Sequence, residues 1–218
     1  MFASSNSWAD EPSICYGTTS AGSLENGWKL PSSGANFSAY SQIGRILGRT
    51  YVHSTVYAVI VEAYSEAEKS RPGTVFVYGE TGKEGGGDFD PHKTHRNGLS
   101  ADFMVPVLNE NGDSVALPTS VWNKWGYDHE FDTSGKLGVI RIDFEALAEH
   151  IYQLHRAAQN NGVDIWRVIL DPDLQPHLRG SNRWPYLEEH VKFSTKRSWV
   201  RHDEHYHVDF DLPCEPAA

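Results

Sequence analysis

The chain has 218 residues, of which 39% are hydrophobic and 22% charged, and carries a formal net charge of -10. That length suits one domain with a real core, and the balance is globular rather than disordered. The acidic excess argues against a nucleic-acid partner, and no run of about 18 apolar residues is present to span a membrane.

Two cysteines, Cys15 and Cys214, stand near opposite ends, away from other reactive side chains. A bridge between them is expected, and the alternative is two unrelated thiols. The bridge closes a loop of nearly the whole chain, worth about 5 kcal/mol in chain-entropy terms, and implies an oxidising compartment. The opening stretch, Met1 to Trp8, lacks both the basic and the apolar region of an export signal. Either such a signal was removed ahead of Met1 or export takes another route.

In chain order, residues 1–40 are rich in Ser, Gly, Asn and Ala, include Pro12 and Pro31, and read as largely irregular with turns. A helix is expected from about Ser54 to Lys69, with Val56, Val59, Ile60 and Ala63 at helical spacing and Arg71-Pro72-Gly73 as its stop. Thr74 to Tyr78 reads as a strand, and Gly79 to Gly98 as a long glycine-rich loop. A second strand, Ser100 to Val107, carries Asp102. Asn109 to Asp113 is a turn, leading to an aromatic segment with Trp122, Trp125 and Tyr127. The clearest helix runs from about Phe144 to Asn160, with Asp143 as N-cap, an apolar stripe of Phe144, Leu147, Ile151, Leu154 and Ala158, and Gly162 beyond its end. Trp166 to Leu170 reads as a buried strand, Pro172 and Pro176 mark a turn, and Tyr206 to Leu212 is the last strand. There is no internal repeat. The expected fold is α+β: one domain over 1–218, with a small, mainly antiparallel sheet flanked by helices and long loops.

Chemistry concentrates in Arg201 to Phe210, where His202, His205 and His207 fall within six residues. Alternate strand residues share a face, so His205 and His207 project together. The loop before the second strand adds His92 and His95, the latter seven residues ahead of Asp102. His95, Asp102 and His207 make two imidazoles and a carboxylate, and three N/O ligands with an open fourth position describe a catalytic zinc site. Any single histidine is more often a surface or core residue than a ligand, and His53, His129, His150, His155, His177 and His190 are read that way.

The set His92, His95, Asp102, His202, His205 and His207, at these spacings, resembles the penicillin-insensitive murein endopeptidases. These belong to a wider group of zinc peptidases that includes lysostaphin-like enzymes and D-Ala-D-Ala dipeptidases. Gly22-Ser23-Leu24-Glu25-Asn26-Gly27 is similar to the family's G-S-x-x-N-G, and Gly85-Gly86-Gly87-Asp88-Phe89 to its glycine-rich approach to the site. The resemblance implies that His95, Asp102 and His207 bind one catalytic Zn2+, carried on the small sheet. It implies that His205 is the general base and that His202 stabilises the oxyanion or orients the substrate. His92 then stands behind the ligands or holds an additional ion. The implied activity is a zinc-dependent peptidoglycan endopeptidase, periplasmic or secreted. It hydrolyses an amide bond in stem-peptide cross-links, D,D (D-Ala to diaminopimelate) or L,D (between two diaminopimelates), through a metal-activated water and without an acyl-enzyme.

Two departures leave alternatives open. Glu204 stands three residues before His207, the E-x-x-H pattern in which a glutamate is the base, although strand parity turns Glu204 away from the metal face and favours His205. The segment Trp122 to Asp132 has no clear counterpart in the murein endopeptidases and leaves the bond specificity open. Trp122, Trp125, Tyr127, Trp184, Tyr186 and Trp199 either line a glycopeptide groove or pack in the core. The rival functions are a D,D-carboxypeptidase or dipeptidase of the same zinc group, and a non-catalytic zinc-containing module that binds peptidoglycan or a protein.

Overall fold

The computed structural model describes residues 11–198 and 200–217. Its first elements are strands β1 (Ile14–Thr18), β2 (Ala21–Glu25), β3 (Trp28–Lys29) and β4 (Phe37–Ala39), helix α1 (Gln42–Ile46), β5 (Tyr51–Val52) and helix α2 (Ser54–Ser70). The middle of the chain contributes β6 (Phe76–Tyr78), β7 (Ser100–Met104), β8 (Val107–Leu108), β9 (Ser114–Val115), β10 (Lys136–Leu137) and β11 (Ile140–Ile142). The last part contributes α3 (Phe144–Asn160), β12 (Asp164–Ile169), α4 (Gln175–Leu178), α5 (Trp184–His190) and β13 (His205–Asp211). Trp199 and the Met1 to Trp8 stretch lie outside the described residues.

A five-stranded sheet in the order β12-β13-β7-β6-β4 organises these elements, antiparallel except where β4 joins β6. The architecture is α+β. The register of the central pair sets His205 opposite Met104, His207 opposite Asp102 and Asp209 opposite Ser100. Alternation then gives His205, His207 and Asp209 one face and Tyr206, Val208 and Phe210 the other. The second face is apolar, buried and covered by the two long helices. Phe103 stacks on Tyr206 at 5.4 Å and meets Tyr64 of α2 at 6.4 Å and His150 of α3 at 5.1 Å. Folding the core onto one side leaves the polar row of β7 and β13 lining the opposite side.

Both long helices form where their periodicity places them. In α2, Val56, Val59, Ile60, Ala63, Tyr64 and Ala67 are buried at three- and four-residue steps. In α3, Asp143 caps the first turn by accepting from the Ala146 amide, and Gly162 follows in a left-handed conformation at φ 72°. The expected strand Ser100 to Val107 breaks at Pro106, which has no N–H for a ladder, so β7 and β8 enter different sheets.

The N-terminal region departs from expectation. Residues 14–39, read as irregular, carry four short strands: β1 and β2 form a hairpin, β3 pairs with β5, and β4 edges the main sheet. Cys15 and Cys214 are joined by a disulfide with Cα atoms 4.9 Å apart. Beside it the Gly17 amide donates to the Glu215 carbonyl, and the Glu215 amide to the Cys15 carbonyl. No helix of the described residues is long and apolar enough to cross a membrane.

Candidate metal centre and catalytic cleft

Asp102 lies in the middle of β7, fully buried, at the base of a cleft of about 690 Å³. Five histidine rings surround it. His207, across the strand pair, places Nδ1 2.9 Å from Asp102 Oδ1, and His95 places Nε2 3.3 Å from the same oxygen. On the other oxygen, Oδ2, His92 Nδ1 stands at 3.8 Å, His205 Nε2 at 3.9 Å, and the Tyr127 hydroxyl donates at 3.1 Å. His202 packs on His205 with ring centres 4.6 Å apart.

Each ring is held from behind by an acceptor. His95 donates Nδ1–H to the Thr81 carbonyl at 3.0 Å, and His202 donates Nδ1–H to the Val200 carbonyl at 2.8 Å. His92 Nε2 lies 2.7 Å from Glu80, His205 Nδ1 lies 2.7 Å from Glu204, and His207 Nε2 lies 2.8 Å from Asp209. A ring whose one N–H is spent on an outer acceptor turns its other nitrogen inward, which is how metal-ligating histidines are oriented. His95 and His202 both adopt left-handed backbone conformations, at φ 67° and 58°, a strained state tolerated where function needs a side chain aimed.

The electrostatics call for positive charge at this point. Burial works to protonate Asp102, yet the surrounding imidazoles hold its carboxyl well below the usual range. Burial likewise disfavours charge on His207, but Asp209 and Asp102 flank it and raise its pKa to about 10. Burial keeps His95 below its ordinary value, and pushes His202 down to about 4 with help from His205. The neutral His95 therefore presents a lone pair at Nε2, and among the described residues that fully buried atom has no hydrogen-bond partner. An orphaned acceptor beside a buried carboxylate costs free energy that a bound cation recovers. The donor set fits a divalent metal.

A family model described as penicillin-insensitive murein endopeptidase matches residues 15–218. The chain belongs to that family. A comparison with curated proteins found no match. That membership makes the chain a peptidase of the murein endopeptidase class.

Five of the six residues singled out in the sequence line this cleft, and His95 is buried against Asp102; the ligand atoms that lie within 4.8 Å of one another are those of His92, His95 and Asp102, a group that takes in His92 and leaves out His207. Glu204 lies behind His205 rather than along the cleft. Of the six aromatic residues considered for a groove, Trp125 and Tyr127 line the cleft, and Trp122 is 91% exposed. Trp184 and Tyr186 instead pack at the core's edge, Tyr186 against Tyr152 of α3 at 4.7 Å and Trp184 against Phe193 at 6.3 Å.

Several residues of the site carried no signal of their own in the sequence. Glu80, just past β6, is buried and holds Arg49 as well as His92; burial opposes its charge, but Arg49 and His92 bring its pKa down to about 2. Gly79 leaves room for Tyr127, since a Cβ there would stand 2.4 Å from the Tyr127 hydroxyl. The two glycine motifs meet: the Leu24 amide donates to Gly85, and at Gly86, with φ 66°, a Cβ would collide with the Arg96 carbonyl at 2.2 Å. That close approach secures the loop bearing His92 and His95. Asp209 was within reach, because it follows His207 by two residues on the same strand face.

Proposed function

We propose that this chain is a zinc-dependent endopeptidase that hydrolyses an amide bond in peptidoglycan cross-links, D,D or L,D, in the periplasm or after secretion. The observation that carries the reading is the convergence of His95 Nε2, His207 Nδ1 and the Asp102 carboxylate, each held by an outer partner, with the first of them otherwise unsatisfied. Two imidazoles and a carboxylate suit zinc at a three-ligand catalytic site. The Cys15–Cys214 disulfide suits an oxidising compartment.

A cation held there supplies Lewis acidity, polarising the scissile carbonyl and acidifying the attacking water. His205 lines the cleft with Nε2 and accepts the proton of that water, while Glu204 on Nδ1 steadies the imidazolium that forms. Burial works against that charge, but Glu204 and Asp102 raise the His205 pKa above its ordinary value. The same nitrogen then returns the proton to the departing amine, a transfer worth typically about 10²–10⁴-fold. His202 is neutral, with Nδ1–H committed to Val200, so its Nε2 accepts a substrate N–H and orients the peptide rather than stabilising an oxyanion. His92, fixed by Glu80 and with a ligand atom within 4.8 Å of those of His95 and Asp102, either stands behind the ligands or holds an additional ion.

Digestion of purified cross-linked muropeptides, read by mass spectrometry with and without a chelator, tests this reading. Dimer-to-monomer conversion that a chelator abolishes and zinc restores is expected. His207→Ala and Asp102→Ala lose bound metal and turnover together, and a metal-free His207→Ala variant that still cleaves would falsify the mechanism. Release of free D-Ala from uncross-linked stems points instead to a carboxypeptidase, and binding to sacculi without new termini points to a non-catalytic module.

A further inference from the structure

Arg49, Lys93, Lys124 and Arg167 are cationic side chains along the cleft. Arg49 is committed to Glu80 through two nitrogens and to the Asp90 carbonyl, and Lys124 reaches Asp128 at 2.7 Å. Arg167 is held differently. Its Nε donates to Asp209 Oδ2 at 2.7 Å, and its guanidinium carbon lies 4.3 Å from the centre of the Trp166 ring. These contacts fix the plane of the group while leaving its two Nη nitrogens without a partner among the described residues. A single carboxylate, Asp209, separates this guanidinium from His207, since Asp209 bonds both.

A guanidinium with its plane fixed and its Nη pair open takes a carboxylate by two parallel hydrogen bonds, and little entropy remains to be lost. The substrate class under the endopeptidase reading supplies such a group. In a cross-link, the diaminopimelate carbon that bears the acylated nitrogen also bears a carboxyl, two bonds from the amide to be cut. We propose that Arg167 anchors this substrate carboxylate and thereby selects cross-links in which it is free over those in which it is amidated. The proposal rests on the endopeptidase reading and adds to it the determinant of which cross-links are cut.

The test uses two cross-linked muropeptides that differ only in whether this carboxyl is free or amidated, with the zinc-loaded full chain and its Arg167→Gln and Arg167→Lys variants. The wild type is expected to favour the free acid in kcat/KM by about 10- to 100-fold, the range of a charged hydrogen bond. Arg167→Gln abolishes that preference, mainly through KM, and Arg167→Lys restores part of it. Were Arg167 only the counter-ion of Asp209, both substrates would slow by the same factor and the preference would survive, which overturns the proposal. The wild-type ratio needs no variant, so it decides the matter even where a variant fails to fold. Equal cleavage of both forms overturns the anchor alone, whereas cleavage of neither overturns the endopeptidase reading and this inference with it.

Discussion

The proton on His205 Nδ1 is fixed by Glu204, whose Oε1 lies 2.7 Å away and which is 2% exposed. Burial favours protonation of that carboxyl, but His205 holds its pKa below the ordinary value, so it meets the imidazole as an anion. The arrangement separates the two candidates for the base by position: Glu204 touches the ring from behind, and His205 faces the cleft. Replacing Glu204 by Gln keeps an acceptor at nearly the same place and removes its charge. It should lower kcat by roughly 10- to 100-fold, the usual cost of a lost outer partner, with bound metal unchanged. His205→Ala should cost more, about 10²–10⁴-fold. Steady-state kinetics with metal analysis of both variants checks this, and Glu204→Gln matching or exceeding His205→Ala would make the glutamate the base.

At the scale of elements, the disulfide closes a circuit between β1 and the segment after β13, the strand that carries His205 and His207. It spans 199 residues, so its loss frees the unfolded chain by about 5 kcal/mol at most in the chain-entropy picture. A Cys15→Ser, Cys214→Ser double variant should therefore melt roughly 10–20 °C lower by calorimetry. An unchanged melting temperature would show that the backbone pairing around Glu215 suffices without the bridge. The bridge, α2, α3 and β13 were legible in the chain because each leaves a local mark: isolated cysteines, a repeated apolar step with a cap, or strict alternation. β1 to β4 were not, because strands of two to five residues rich in Ser and Gly derive their stability from partners rather than from their own propensity. That these histidines and Asp102 belong together could be read from spacing and resemblance. Their outer partners Glu80, the Thr81 carbonyl and Tyr127 could not, since sheet register and loop path bring those groups together across the chain.

Across the whole molecule, the core behind the sheet holds a titratable group whose state is tied to folding. His150 of α3 is fully buried, stacked 4.6 Å from Tyr64 and 4.9 Å from Phe76, and its Nδ1 is hydrogen-bonded to the Tyr206 hydroxyl. Burial drives its pKa down to about 3, against the weaker opposing pull of Glu149. In the unfolded chain the imidazole titrates near the ordinary value of about 6.5. Below that pH the unfolded state binds a proton that the folded state refuses, so stability is lost as pH falls. The loss begins near 6.5, continues toward 3, and proceeds at up to about 1.4 kcal/mol per pH unit. By pH 5 the contribution is about 2 kcal/mol. His150→Asn keeps a short hydrogen-bonding group for Tyr206 but cannot titrate. The variant should be less stable than the wild type at pH 8, and the gap should narrow by about 2 kcal/mol between pH 7 and pH 5 in urea unfolding. Because His150 lies on the face of the sheet away from the proposed metal ligands, the same narrowing is expected in metal-loaded and chelated protein. A gap that stays constant with pH would mean that the buried imidazole takes up its proton without cost, contrary to the packing around it.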